Sequence, residues 1–323
     1  MSAVPTVLGP VDTAELGTTY MHEHIFVLTP DAQQNYPEEW GSEEARVADA
    51  VARLGELAAT GVRTIVDPTV VGLGRYVPRI ATIAAQVPDL HIIVATGCYF
   101  YDTVPFFFHF RGPVVGAPDP MVELFIRDLT EGIAGTGVRA GFLKCAIDEP
   151  GLTPDVERVF RAVAAAHHAT GAPITVHTHP GTRRGEDVQR VLVAEEGVDP
   201  GRIVLGHSGD TTDADHLSGL AEAGFVLGMD RFGIHLGITF EERCDVVVEL
   251  CRRGFAERMV LSHDAACYLD WLEPGTLEFM PQWNYLHIGR DVLPYLRDHG
   301  VTEDQIATML VGTPRRYFEG APG

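Results

Sequence analysis

The stretch TTYMHEH, residues 18–24, is a short, mostly apolar run near the start of the chain with two histidines two positions apart. Side chains on a β-strand alternate between its two faces, so His22 and His24 would point one way and Glu23 the other. Such a pair can bind a metal ion, but two ordinary strand histidines would give the same spacing. The pair therefore predicts a metal site only if other strands supply further ligands.

Beyond this stretch, short apolar runs alternate with helix-like segments. Runs that are apolar throughout are typical of strands in a parallel sheet that is covered on both faces. Together with residues 18–24 they number eight. The other seven are Thr64–Asp67, His91–Thr96, Ala140–Cys145, Pro173–His177, Ile203–His207, Phe225–Asp230 and Met259–Asp264.

The segments between these runs have the period and the boundary residues of helices. One of them, Pro154–Ala169, follows Thr153 and is succeeded by Gly171, and these residue types are common at a helix start and end. The other predicted helices are Glu43–Ala59, Val77–Ala85, Met121–Ala134, Glu186–Glu196, Asp213–Ala223 and Phe240–Arg253, with a helical region at 285–318.

This alternation predicts an α/β fold, a (β/α)8 TIM barrel, with residues 1–323 forming a single domain. Barrels of this type routinely run to about 250 residues or more as one unit. A doubly wound open sheet is the alternative, but no GxGxxG pattern follows the first strand to support it.

Charge and composition restrict the possible partners. The formal net charge of −21 disfavours nucleic acid and anionic membranes, because a polyanion would be repelled. The first residues lack a basic segment and an apolar segment of a signal peptide, and no apolar run approaches the ~20 residues of a membrane span. Five cysteines without a CxxC pair do not suggest disulfides or a zinc ribbon. We expect a cytoplasmic protein that acts on a small neutral molecule.

Polar side chains occur at the carboxyl ends of several predicted strands, which in a barrel all meet at one mouth. Taken singly, each could be a core histidine, a capping aspartate or a snorkelling lysine. His179 shares the strand face of His177, and spacing alone does not choose between them. The residues expected to converge are His22, His24, Lys144, His177, His207 and Asp264.

Lys144 is the informative member of this group. A bare ammonium is costly to bury, and beside four imidazoles it would repel a metal ion. Two divalent cations with four neutral histidines and one aspartate would still call for a further anion. If Lys144 takes up carbon dioxide to become a carbamate, it supplies that anion and two oxygens that can bridge both metals.

Three long connections follow predicted strands, at 27–42, 100–120 and 265–283, and such loops surround the active face of a barrel. The stretch 100–110 is strongly aromatic, which is typical both of a dimer interface and of a covered barrel rim. The stretch 267–283 combines aromatic residues with proline and glycine.

Taken together, these residues resemble the phosphotriesterase-like lactonases of the amidohydrolase superfamily, over nearly the whole chain. The matching motifs are MHEH (21–24), TGCYFYDTVPFFF (96–108), FLKCA (142–146), TVHTH (175–179), LGHSGDT (205–211), GMDRFG (228–233) and LSHDAACYLDW (261–271).

The resemblance implies a binuclear centre in an amidohydrolase-like barrel. His22, His24 and Asp264 would bind one metal, and His177 and His207 the other, with carboxylated Lys144 bridging the two. We expect zinc, with cobalt, iron or manganese as alternatives, because imidazole binds all four. Phosphotriesterases share these ligands. Tyr99 and Arg231 favour the lactonase branch, in which they face the substrate.

The predicted activity is hydrolysis of N-acyl-homoserine lactones, as in quorum quenching, with weak phosphotriesterase activity. Asp264 would take the proton of the attacking water, Tyr99 would bind the developing oxyanion and Arg231 would orient the ring. Tyr268 and Trp271, with Leu269, Leu272 and Phe279, would line an apolar channel for the acyl chain. We also expect a homodimer that uses residues 101–110.

Other functions remain open from the sequence. The alternatives are a phosphotriesterase as the main activity and a non-catalytic, metal-stabilised sensor of acyl ligands. An amidase or deaminase of the same superfamily is a further alternative. Deaminase-type relatives generally lack the bridging lysine, so Lys144 disfavours that activity.

Overall fold

The computed structural model describes residues 2–100, 102–235, 237–273 and 275–319. Its strands are β1 (Ala3–Thr6), β2 (Gly9–Asp12), β3 (Thr19–Tyr20), β4 (Phe26–Val27), β5 (Thr64–Asp67), β6 (His91–Gly97), β7 (Phe142–Ile147), β8 (Ile174–Thr178), β9 (Ile203–Gly206), β10 (Val226–Met229), β11 (Met259–Leu261) and β12 (Tyr268–Leu269).

The α-helices lie mostly between these strands. They are α1 (Pro30–Asn35), α2 (Glu43–Ala59), α3 (Val77–Ala84), α4 (Phe106–His109), α5 (Pro120–Thr130), α6 (Pro154–Thr170), α7 (Gly185–Val188), α8 (Ala214–Glu222), α9 (Phe240–Arg252), α10 (Leu293–Asp298), α11 (Glu303–Ala307) and α12 (Thr313–Glu319).

Eight strands, β3 and β5 to β11, form one parallel sheet in which the neighbours follow chain order. A doubly wound sheet would reverse its strand order at a switch point, so this order excludes that alternative. The two ends of the sheet meet just beyond β3 and β11. There Asp264 N donates to His22 O (3.0 Å) and His24 N donates to Ala265 O (2.8 Å). The predicted TIM barrel is confirmed.

Local signals account for most helix boundaries. Helix α6 begins after Thr153, whose hydroxyl accepts from Val156 N, and ends at Gly171 with a φ of 71°. Helix α5 is shorter than predicted, because Gly132 and Ala134 adopt positive φ and stop it at Thr130. The predicted helix at 186–196 is instead a short α7 that continues into a π-helical turn, Gln189–Glu195.

Alternation along the strands separates two apolar layers. Ile65, Ile92 and Leu143 pack outwards in the cluster that includes the helices. The inward side chains, with Tyr317 and Phe318 from α12, fill the barrel interior, and those of the strands include Val66, Ile93, Phe142, Val204, Val226 and Val260. Lys144 lies two residues beyond Phe142 on the same strand face, which brings it to the mouth.

The three long loops predicted from the sequence lie beyond the carboxyl ends of the strands. The short strand β4 pairs in parallel with β12, which ties the first of these loops to the last. Within the described residues, no helix is both long and apolar enough to cross a membrane.

Candidate metal centre

A cavity of about 360 Å³ opens at the carboxyl end of the barrel. The six side chains predicted to converge all line it, and they come from both the first and the last strand of the barrel. Five of them are buried, and Asp264 is only slightly exposed.

His22, His24 and Asp264 form the first group. His22 Nε2 and His24 Nε2 each lie 3.3 Å from Asp264 Oδ1, and ligand atoms of the three residues lie within 4.8 Å of one another. Residues 22–24 lie beyond the regular strand β3, yet Glu23 still points away from the cavity, as the alternation predicted. Two imidazoles and a carboxylate at this spacing fit a divalent cation.

His177 and His207 form the second group. His207 Nε2 lies 2.7 Å from His177 Nδ1. His179, which spacing left as an alternative to His177, lies beyond the end of β8, where its Nδ1 is 3.0 Å from Thr182 Oγ1. Of these two histidines, His177 is the one that lines the cavity.

The outer nitrogen of each imidazole has a hydrogen-bond acceptor, which assigns its proton. His22 and His207 donate from Nδ1 to the two oxygens of Asp230, at 3.0 Å each. His177 donates from Nε2 to Asp148 (2.7 Å). His24 donates from Nδ1 to Thr69 Oγ1 (2.7 Å). Such partners fix the tautomer and the orientation of metal-binding histidines.

This assignment leaves four unprotonated nitrogens converging on the cavity. Burial lowers the pKa of His22, lowers that of His177 to about 4 and lowers that of His207 well below its usual range, so these rings are neutral near pH 7. His177 Nδ1 and His207 Nε2 therefore present lone pairs to each other at 2.7 Å. Lone pairs this close require a cation between or beside them, so these residues fit a metal.

Lys144 adds a second indication. Its side chain is 1% exposed, and its Nζ has no hydrogen-bond partner among the described residues. Burial lowers the pKa of this amine to about 8, which raises the neutral fraction that can react with carbon dioxide. It is also the only lysine in the sequence, beside 23 arginines. A buried amine without a partner is costly, and carboxylation would remove that cost.

Two of the six residues have a left-handed backbone. The φ angles are 64° for His207 and 54° for Asp264. For non-glycine residues this conformation costs on the order of 1 kcal/mol, and it concentrates at functional sites. Both residues directly follow the barrel strands or their short extensions, where the turn directs the side chains over the mouth.

Arg231 binds Asp264 and lines the cavity. Its Nε donates to Asp264 Oδ2 (3.0 Å) and its Nη1 to Asp210 Oδ2 (2.9 Å). Asp210 is held in turn by the buried Arg243 (2.5 Å). Burial alone would raise the pKa of Asp264, but its neighbours, among them the Arg231 guanidinium that donates to it, outweigh burial and keep this pKa well below its usual range.

Tyr99 reaches the cavity because of Gly97. This glycine has a φ of 143°, and a Cβ on it would lie 1.8 Å from Lys144 O. The tight approach lets Cys98 N donate to Lys144 O (3.0 Å) and turns the chain over the mouth. The Tyr99 hydroxyl then lies 3.4 Å from His177 Nδ1, and its ring lies 6.0 Å from that of Trp271.

The rest of the cavity wall is apolar. It comprises Val27, Leu73, Ile234, Ala266, Leu269, Trp271, Leu272, Met280 and Trp283.

Tyr268, which was predicted to bind substrate, does not line the cavity in this structure. Tyr268 and Leu269 are adjacent on β12, so their side chains point in opposite directions, and Leu269 is the one that faces the cavity. The Tyr268 ring instead stacks under the Arg46 guanidinium, 3.8 Å from the ring centroid, and against Trp40. Phe279 also lies outside the cavity and is 87% exposed.

Sequence reasoning missed the residues that orient the ligands. Asp230 ends a predicted strand, so the rule that selected Asp264 could also have selected it. Asp148 follows β7 directly, and the same rule, extended by one residue, would have found it. Asp67, whose carboxylate accepts from Thr69 Oγ1 (2.5 Å), also ends a predicted strand and could have been selected by the same rule. Thr69 carried no comparable signal.

Comparisons with known proteins show the family of this chain. The model of the phosphotriesterase family matches residues 2–318. A phosphotriesterase homology protein of Mycobacterium tuberculosis is 57% identical over 326 residues, covering 100% of this chain and 99% of that protein. An aryldialkylphosphatase of Saccharolobus solfataricus is 37% identical, covering 95% and 96%. The solved structure of the phosphotriesterase from M. tuberculosis, 57% identical, has a TM-score of 0.96 over 99% of each chain.

Proposed function

The chain belongs to the phosphotriesterase family of metal-dependent hydrolases, within the amidohydrolase superfamily, and on this basis we propose that it opens lactone rings. The preferred substrates are N-acyl-homoserine lactones, so that the biological role is quorum quenching. The observation that carries the proposal is a cavity that joins a polar end, with Arg231 beside Asp264 and Tyr99 beside His177, to an apolar wall.

The family is binuclear and metal-dependent, and the four converging nitrogens, Asp264 and Lys144 fit two divalent ions. We propose zinc at both positions and a carboxylated Lys144 as the shared anion. When bound, the two ions lower the pKa of a water and polarise the carbonyl of the substrate.

Asp264 handles the proton. Its low pKa keeps it ionised, and its Oδ1 faces the two imidazoles of the first group while Arg231 holds Oδ2. As the water oxygen bonds to the carbonyl carbon, Asp264 accepts the water proton. It then delivers this proton to the ring oxygen when the C–O bond of the lactone breaks, which gives a hydroxy acid.

Tyr99 and Arg231 orient the substrate. The Tyr99 hydroxyl lies beside His177, where it can donate to the carbonyl oxygen as negative charge develops. Arg231 lines the cavity beside Asp264, where it can bind the amide oxygen of an acyl-homoserine lactone.

The main alternative is phosphotriester hydrolysis as the principal activity, which the name of the 37% identical aryldialkylphosphatase favours. A lactone carbonyl becomes tetrahedral during attack, whereas a phosphotriester passes through a trigonal bipyramid. A site complementary to one transition state serves the other poorly. The two activities can therefore be ranked by kcat/KM.

We expect kcat/KM for acyl-homoserine lactones to exceed that for paraoxon by orders of magnitude, and to rise with acyl length over several carbons. Each buried methylene contributes about 0.8 kcal/mol at most. Trp271→Ala should flatten this length dependence and affect short lactones less, because Trp271 lines the apolar wall. The measurement is a panel of γ-, δ- and acyl-homoserine lactones against paraoxon on metal-assayed protein.

Phe279→Ala is the matched control, because this aromatic side chain lies in the same loop but outside the cavity. It should leave the length dependence intact. If paraoxon is the better substrate, the protein is a phosphotriesterase and the lactonase hypothesis is wrong. If no ester is turned over by the metal-loaded protein, the sensor alternative takes its place.

We also propose that the protein is a homodimer. Apolar side chains of 106–115 are exposed together, with Phe106 79% and Phe110 60% accessible and their rings 5.5 Å apart. Val114 and Val115 of the same segment are exposed as well. Tyr101, part of the stretch first assigned to the interface, lies outside the described residues. A second copy would cover apolar area that a monomer leaves in water.

Light scattering at low concentration should give the mass of a dimer. Phe110→Glu should shift it to a monomer, because a charge would be buried against the apolar partner surface. Tyr36→Glu is the control, since Tyr36 is also exposed but belongs to a different loop, 27–42. A monomeric mass for the unmodified, fully active protein would refute the dimer.

A further inference from the structure

Glu23 lies between two of the candidate ligands and has no role in the proposed chemistry. It is 0% exposed, and its side chain points away from the cavity, opposite to His22 and His24. A carboxylate buried this completely needs several donors to offset the loss of water. The residues that provide those donors identify what Glu23 does.

Among the described residues, the side-chain oxygens of Glu23 accept only from the segment that carries Asp264. Glu23 Oε1 accepts from His263 N (3.0 Å) and from His263 Nδ1 (2.6 Å), and Oε2 accepts from Ala265 N (3.2 Å). Glu23 therefore binds the residue before Asp264 and the residue after it.

His263 is fixed from its other side as well. It is 0% exposed, and its Nε2 accepts from Ile288 N (2.9 Å), so the ring proton lies on Nδ1 and is donated to Glu23. The indole of Trp283 donates to the carbonyls of His263 (3.0 Å) and Asp264 (3.2 Å). The peptide groups around Asp264 are thus held on both edges.

This clamp acts where the backbone is strained. Asp264 has a φ of 54°, a conformation that the chain keeps only when its surroundings impose it. Released from it, the segment would relax and carry Asp264 Oδ1 away from the two imidazoles, each 3.3 Å distant. Glu23 follows the first strand of the barrel, and its hydrogen bonds join it to residues that follow the last strand. It therefore connects the segment that carries His22 and His24 to the segment that carries Asp264.

We propose that Glu23, through its hydrogen bonds to His263 and Ala265, is the positioning residue that holds Asp264 in the first metal site. The inference rests on the proposed binuclear centre. It does not depend on which ester the enzyme hydrolyses, because metal retention reports on the geometry directly.

The test is the rate at which the metal-loaded protein releases its ions to a chromophoric chelator, together with thermal unfolding. Glu23→Gln keeps the size of the side chain but replaces one of its two acceptor oxygens with an NH2 group, which then faces either the two His263 donors or Ala265 N. It should release one of the two ions about 10-fold to 100-fold faster, as expected for a residue that orients a ligand. On the substrate that the enzyme turns over, kcat should fall while KM changes little.

Asp128→Asn is the matched control. Asp128 is also a buried carboxylate, and it accepts from Arg75 (2.8 Å) and Thr96 (2.7 Å) away from the metal site. It should lower the unfolding temperature similarly but leave metal release as in the wild type. If Glu23→Gln does not fold, His263→Asn, which removes the ring that bridges Glu23 and Ile288, should show the same selective release.

The proposal would be overturned if a folded Glu23 or His263 variant released its metal at the wild-type rate. It would also be overturned if Asp128→Asn accelerated metal release as much as Glu23→Gln does, or if the wild-type chain bound no divalent ion. A failed lactone panel with accelerated metal release in Glu23→Gln would instead reject the proposed substrate and retain the positioning role.

Discussion

Asp264→Asn is expected to lower kcat/KM for lactones and phosphotriesters alike by about a thousandfold or more, since positioned proton transfer contributes about 10²-fold to 10⁴-fold. The substitution keeps the shape of the side chain but removes the negative charge that faces His22 and His24. It also leaves Arg231 without one of its two carboxylate partners. The measurement is steady-state kinetics on protein whose metal content is matched to the wild type.

Glu273→Gln is the control for this change, because Glu273 is an exposed carboxylate on the same loop. It should retain wild-type kinetics. If Asp264→Asn keeps its full metal content and more than a tenth of the wild-type activity, a group other than Asp264 transfers the proton of the attacking water.

Lys144→Ala is expected to cost about a hundredfold or more in activity and to remove one metal per chain, because the shared anion is lost. Short carboxylates such as acetate or propionate should restore part of the activity and part of the metal content. They fit the space that the side chain leaves, and they supply two oxygens. The readouts are metal content and activity, each with and without added carboxylate.

Lys144→Arg tests whether a long basic side chain is enough at this position. Arginine shares the positive charge of unmodified lysine but does not form a carbamate, so the variant should be inactive. Added carboxylates should not restore its activity. Activity retained by either variant without added carboxylate would contradict the bridging role.

Much of the barrel could be predicted from local signals. Helix α2 coincides with the predicted range because Ser42 caps it and its apolar stripe has the helical period. The eight strands were recognisable because both of their faces are buried. The boundary of α5 was misplaced because the glycine-rich stretch after Thr130 takes positive φ angles, which hydrophobic periodicity does not report.

The ligand set could be predicted because the carboxyl ends of the strands meet at one mouth in any barrel. The partners of these ligands depend on tertiary distances. Asp230 bridges two histidines from opposite parts of the chain, and Glu23 acts on a segment some 240 positions away. Tyr268 was expected at the cavity because the sequence does not give the register of β12, and a shift of one residue reverses the face. The uniqueness of Lys144 among 323 residues was present in the sequence and supports the same site.

The central claim is a two-metal centre that shares a carboxylated Lys144. Because this is the only lysine, protein equilibrated with ¹³C-bicarbonate should give a single side-chain carbamate resonance, absent in Lys144→Ala. Elemental analysis of the same sample should give two divalent ions per chain. Active protein with one ion or none, and no carbamate signal from Lys144, would contradict the account.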